Sequence, residues 1–239
     1  MEFFPYESRF KAGEILARFV LKENKEIKNQ VESKSNDFFV FAIPNGGVLV
    51  AEGFCNVFDI KYDLMIVRKI KIPFNPEAGF GAVATDGTIL FNQDLLNCLN
   101  LSSREIDEAV RLTKSEIDDR LKAYNKSYLN HEYFSMIIEN KNIFLIDDGL
   151  ASGFTMMAAI KMVKKYQPSK FFIAVPTSPY KTILRLSPET DHIFCPNIRG
   201  GYFFAVADAY KNWYDVPDSE VLELLKKSSH YYSKSIEKC

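Results

Sequence analysis

Between positions 143 and 155 the chain reads IFLIDDGLASGFT. Four apolar residues lead into two carboxylates, and small and hydroxylated residues then open onto an apolar-patterned stretch at 156–166. The pattern fits a buried strand, a turn at its carboxyl end and a helix. A Gly/Ser/Thr turn before a helix aims unpaired backbone N–H groups and the positive end of the helix dipole at one point. That geometry suits a phosphate monoester dianion. Ser152 and Thr155 can add hydroxyl donors, and Gly153 permits a close backbone approach or a positive φ. Asp147 and Asp148 stand at the strand's carboxyl end, where α/β sheets place ligands, and can accept from two vicinal hydroxyls or favour a cation forming nearby. The plainer reading is a buried strand before a capped helix, but two adjacent carboxylates there are costly without a task.

The rest of the chain supplies a matching frame. Runs rich in β-branched and aromatic residues recur at 38–43, 63–67, 143–147, 171–175 and 192–195, with a hairpin pattern at 82–91. Several are near-continuously apolar, as expected when both faces of a parallel strand are buried. Helical patterns at 9–21, 48–58, 103–124 and 155–166 lie between them, and the alternation indicates an α/β fold with a doubly wound, mainly parallel sheet flanked by helices. Ser102 and Glu105 form a capping box for the third helix, whose apolar stripe includes Ile106, Val110, Ile117 and Leu121; it packs over the sheet or a partner subunit. Residues 129–142 read as a mobile linker, and those after Ser228 as a fraying end. The expected division is an α/β core at 1–195 with a small C-terminal hood or appendage at 196–239.

Composition narrows the chemistry. In 239 residues, 30 basic and 31 acidic side chains give a formal charge of -1, with no long block of one sign, which argues against nucleic acid as a principal partner. No apolar run approaches the ~18 residues needed to span a bilayer, so a cytoplasmic protein is expected. Cys55, Cys98, Cys195 and Cys239 are far apart and without histidines at ligand spacing, so reduced, mostly buried thiols are expected. His131, His192 and His230 are equally scattered, leaving little material for a zinc site or a Ser-His-Asp triad.

Two further segments bear on an anionic ligand. FAIPNGGVLVA at 41–51 reads as strand, tight turn and helix, with Asn45, Gly46 and Gly47 in the turn. A strand ending in Arg68 and Lys69 precedes a Pro- and Gly-punctuated stretch at 70–81, poorly suited to a long helix or a central strand. Two cations there can neutralise an anionic group, and the stretch can border the site as a lid, with Asn75 and Glu77 as its polar candidates.

The run 143–155 resembles the binding motif for 5-phosphoribosyl 1-pyrophosphate (PRPP) in type I phosphoribosyltransferases, with Ser152 in place of the commoner Thr and Phe154 at a position often Gly. By that resemblance Asp147 and Asp148 hold the ribose 2- and 3-hydroxyls, and Ala151, Ser152, Gly153, Phe154 and Thr155 cradle the 5-phosphate. Ala151 stands where enzymes for 6-oxopurines carry a third Asp, which argues against that acceptor. The turn at Asn45, Gly46 and Gly47 is similar to the family's pyrophosphate loop, with Asn45 where a basic residue is common. The arrangement VRK, NPE and GAVA-x-DG resembles an uncharacterised bacterial and archaeal subgroup, and the likeness extends to Arg9, to Ala12-Gly13, to AVP at 174–176 and to FFAV at 203–206.

The resemblance implies Mg2+-dependent transfer of the phosphoribosyl group from PRPP to a small acceptor, with pyrophosphate leaving. Asp147 and Asp148 would position the ribose and reach Mg2+ through water, while Arg68 and Lys69 stabilise departing charge. A homodimer is a candidate assembly. Arg199, Tyr202, Phe203 and Phe204 are candidates to stack on or clamp a flat or anionic acceptor, against the commoner use of such aromatics as core. The alternative is a PRPP- or nucleotide-sensing protein that keeps the fold without turnover, and a third reading is hydrolysis of a phosphorylated sugar or nucleotide at the same cleft.

Overall fold

The structure, a computed structural model, describes residues 5–126, 129–201 and 203–232. In chain order the elements are α1 (Arg9–Glu23), α2 (Lys25–Lys34), β1 (Phe38–Ala42), α3 (Gly46–Phe58), β2 (Tyr62–Leu64), β3 (Val67–Ile72), β4 (Asn75–Ala84), β5 (Ile89–Phe91), α4 (Gln93–Leu99) and α5 (Ser103–Ala123). There follow α6 (His131–Ile138), β6 (Asn142–Ile146), α7 (Phe154–Lys164), β7 (Lys170–Ala174), β8 (Thr177–Pro179), α8 (Tyr180–Leu186), β9 (His192–Phe194), β10 (Asn197–Arg199) and α9 (Asp218–Lys227). No helix among the described residues is long and apolar enough to cross a membrane.

Two compact units emerge. The first joins the chain up to Leu64, the segment Asn140–Ala151 and the chain from Ser169 onward. Its centre is a parallel five-stranded sheet in the order β2-β1-β6-β7-β9. Every residue of β1, and all of β6 and β7 after their first residue, is buried. This explains their unbroken apolar runs, each large side chain contributing roughly 1.5–3 kcal/mol on burial. Helix α1 is capped by Ser8, whose Oγ accepts from Lys11 N, and presents Ala12, Leu16, Ala17 and Val20 inward. It packs on α3, which also lies against β1 and β6.

The second unit comprises Met65–Glu139 and Ser152–Pro168. Its antiparallel sheet has the order β3-β4-β5, with α5 and α7 packed against it. The capping box of α5 forms as expected, while its buried stripe runs through Ala109, Thr113, Ile117 and Leu121, leaving Ile106 and Val110 only partly covered.

Four local expectations need correction. The run 63–67 is not one strand: β2 ends at Leu64 and the chain passes into the other sheet at Val67. The stretch 70–81 does hold a central strand: β3 and β4 pair through it, and β4 is the middle strand of its sheet. Pro76 is tolerated because the register slips between Lys71↔Gly79 and Ile72↔Asn75, leaving it outside the ladder, while β5 pairs only with Gly81 to Val83. Residues 129–142 contain α6, which buries Tyr133, Phe134, Ile137 and Ile138. The chain after Ser228 is anchored as far as it is described, with Tyr62 N donating to His230 O at 3.0 Å and Tyr232 N to Tyr62 O at 2.8 Å.

Candidate active site

In the five-stranded sheet the order reverses at β1 and β6, whose helical connections leave in opposite directions; such a switch point opens a crevice at the strands' carboxyl ends. Ala42 pairs with Ile146, and Ile43 N donates to Ile146 O at 2.9 Å. The residues that follow on the two strands are the 43–47 turn and the pair Asp147 and Asp148. The structure therefore brings together Asn45, Gly46, Gly47, Asp147 and Asp148, all in the first unit.

The approach is tight. A Cβ built on Gly46 would overlap Asp148 Oδ2, and one on Gly47 would lie 2.9 Å from Asp147 Cα, so the turn and the carboxylates share one surface. Asp147 Oδ1 accepts from Asp148 N at 2.8 Å. Asp148 Oδ2 accepts from Arg9 Nε at 2.8 Å, an ion pair whose side chains are 3% and 16% exposed. Burial, and then the neighbouring Asp148 carboxylate, push Asp147 well above the usual carboxylate range. Burial raises Asp148 too, but the bond and charge of Arg9 pull against it, so Asp148 is the first of the two to ionise. Tyr210 Oη donates to Asp148 O at 2.5 Å, and burial followed by the Asp148 charge keeps that phenol protonated.

Around Arg9 lies an aromatic cluster: its Cζ stands 4.1 Å from the Trp213 ring centroid, 5.4 Å from that of Tyr214 and 5.5 Å from that of Tyr210. Asn45 is engaged with the same C-terminal segment, its Nδ2 donating to Val216 O at 2.7 Å and to Asp218 Oδ1 at 2.8 Å. Sequence reasoning placed Arg9 only in a resemblance and missed Tyr210, Trp213 and Tyr214 as part of this environment. A signal existed, since Arg9 begins the apolar stripe of α1 at helical spacing from Ala12, Gly13 and Leu16, where a cation needs a partner.

The loop after the acidic pair is well held. Leu150 N donates to Thr177 O at 3.0 Å, and Thr182 Oγ1 to Ala151 O at 2.6 Å. Ser152, Gly153, Phe154 and Thr155 fall in the second unit, where Gly153 has φ +69° and caps α7, so Phe154 rather than Thr155 begins the helix.

On β3, Arg68 shares the more covered face with Ile70 and Ile72, whereas Lys69 is exposed with Lys71 on the other face. The two cations therefore point apart. Lys69 Nζ donates to Glu77 O, and Asn75 and Glu77 are exposed positions of β4. A groove of about 450 Å3 beside β3 is lined by Ile72, Pro73, Pro76, Leu112 and charged residues of α5, and none of the candidate residues lines it.

Of the acceptor candidates, Tyr202 lies outside the described residues and Phe203 is 96% exposed. Arg199 sits on β10 with Nη1 3.6 Å from Asp208 Oδ2 and its Cζ 5.8 Å from the Phe204 ring centroid. Cys55 and Cys195 are buried and Cys98 is exposed, while Cys239 is outside the described residues. Among the described residues no group of three or more His, Cys, Asp or Glu side chains could hold a metal. Asp147 and Asp148 offer hard oxygen donors, a pair that suits a Mg2+ completed by ligand phosphates and water.

The profile of the phosphoribosyl transferase domain matches residues 11–210, and the chain belongs to that family. A Mycobacterium tuberculosis protein provisionally named a phosphoribosyl transferase, present in strains CDC 1551 and H37Rv, is 27% identical over 196 residues. That match covers 82% of this chain, and the chain spans 43% of the length of the relative. The crystal structure of TT1426 from Thermus thermophilus superposes with a TM-score of 0.71 at 23% identity, covering 92% of this chain and 97% of that one. The fold is thus the type I phosphoribosyltransferase α/β fold, a mainly parallel five-stranded sheet flanked by helices.

Proposed function

We propose that this domain binds PRPP with Mg2+ and transfers its phosphoribosyl group to a small acceptor, releasing pyrophosphate. One observation carries the reading: a glycine turn and two adjacent carboxylates meet at the switch point of a parallel sheet, with Gly46 against Asp148. Asp147 and Asp148 accept from the two vicinal ribose hydroxyls, and their charge favours the cationic character that develops at the anomeric carbon as its bond to pyrophosphate breaks. Backbone N–H groups of the 45–47 turn receive pyrophosphate oxygens, and Ala151, Ser152, Gly153, Phe154 and Thr155 with the N-terminus of α7 take the 5-phosphate. Arg68 offsets leaving-group charge. Mg2+, when bound, would neutralise pyrophosphate charge, with Asp147 and Asp148 as its protein-side oxygens. The protein's contribution is positioning and charge stabilisation, with no protein nucleophile.

A sensing role without turnover is the second reading, favoured by one observation: Asn45 stands where the family often has a cation, and its amide donor is used internally. A screen of nucleobases and small amines with PRPP and Mg2+, reading pyrophosphate release, separates the two. Release that depends on one acceptor establishes transfer. Binding of PRPP without release for any acceptor establishes the sensor.

A further inference from the structure

Residues 210–218 make three separate attachments to the candidate site. Tyr210 fixes the Asp148 carbonyl, Trp213 stacks on Arg9, and Val216 with Asp218 hold Asn45. Arg9 links these attachments to the acidic pair. It is 4% exposed, and its Nε bond settles which way the Asp148 carboxyl turns. We infer that Arg9 is the positioning residue of the acidic pair, and that the aromatic segment carrying Tyr210, Trp213 and Tyr214 holds its guanidinium in place. The inference rests on the PRPP reading and assigns Arg9 no contact with the ligand.

The hydrogen bonds of the two carboxyls show what such positioning achieves. The bonds described above hold Asp147 Oδ1 and Asp148 Oδ2, and so fix how each carboxyl is turned toward a vicinal diol. A bidentate ligand of this kind requires both carboxyls in one orientation, and an unheld Asp148 would rotate among its rotamers. A planar guanidinium can stack on an indole and keep its N–H in the plane of a carboxylate, whereas a lysine ammonium supplies charge without that plane.

Calorimetric titration of PRPP with Mg2+ into the full chain, with the emission of Trp213 recorded alongside, tests this directly, because Trp213 is the sole tryptophan. For Arg9→Gln the expected result is an affinity loss of roughly 10- to 100-fold, the usual cost of removing a residue that orients a ligating group. Arg9→Lys should recover only part of it, and Trp213→Phe should bind close to wild type. Wild-type emission should change on binding, and the change should vanish in Arg9→Gln at saturating PRPP. Undiminished affinity in Arg9→Gln, or an unaltered emission change, overturns the inference while leaving the PRPP reading in place. If Arg9→Gln does not fold, Trp213→Ala carries the test, since it keeps the ion pair; it should weaken binding several-fold, and wild-type affinity there overturns the inference. Failure of the wild type to bind PRPP is a different result and removes the ligand reading itself together with this one.

Discussion

Gly46, at the start of α3, lies so close to Asp148 that a methyl group in place of its hydrogen would overlap the carboxyl oxygen that Arg9 holds. The Gly46→Ala variant should therefore push Asp148 off Arg9. The expected cost is about 1–3 kcal/mol of stability, typical of overpacking, together with weaker PRPP binding. Chemical denaturation alongside ligand titration checks both; a variant as stable as wild type would show that the turn yields instead.

The Arg9 to Asp148 pair changes what Asp148→Asn should do. That variant removes a charge assigned to the ligand. In the folded chain it also strips a buried guanidinium of its partner, so the expected loss is roughly 3 kcal/mol of stability as well as binding. A double-mutant cycle with Arg9→Gln should give strongly non-additive stabilities. Additive losses would mean that the two side chains stand independently.

Asp147 yields a pH prediction. Burial raises its folded pKa above the unfolded value of about 3.9, so its ionisation costs the fold nothing in acid and progressively more as pH rises through and beyond the ordinary carboxylate range. Asp147→Asn keeps an oxygen for Asp148 N and removes that cost. Its Tm should match wild type near pH 3.5 and exceed it increasingly toward pH 7. Parallel Tm curves would contradict the account.

Because Arg68 and Lys69 lie on opposite faces of β3, and Lys69 Nζ is bonded to Glu77 O, the two cations should not be equivalent. Arg68→Gln should weaken pyrophosphate binding by at least about tenfold, on the scale of a charge-assisted bond, while Lys69→Gln has a small effect. Competition by inorganic pyrophosphate against PRPP measures both. Equal losses would remove Arg68 from its assigned role.

The parallel sheet was legible because β1, β6 and β7 are buried on both faces and so write continuous apolar runs. The acidic pair was legible because adjacent carboxylates at the end of a buried strand cost the fold desolvation and mutual repulsion that a ligand can offset. The 70–81 hairpin was hidden, since Pro76 and Gly79 weaken a strand pattern and the register slip that accommodates them is a tertiary feature. Helix α6 was hidden by its brevity, eight residues with little periodicity to count. The environment of Arg9 was hidden for another reason: Arg9 and Asp148 are 139 positions apart, and no local pattern joins them or brings Trp213 to both.

The most direct test of the central claim is titration of PRPP, with and without Mg2+, into wild type and Asp147→Asn, following thermal stability. Wild type with Mg2+ should gain about 2.7 kcal/mol at a ligand concentration 100 times its Kd, and the variant should require at least about tenfold more PRPP for the same gain. No stabilisation of wild type at millimolar PRPP with Mg2+, or an equal response from Asp147→Asn, would contradict the assignment of the acidic pair to the ribose.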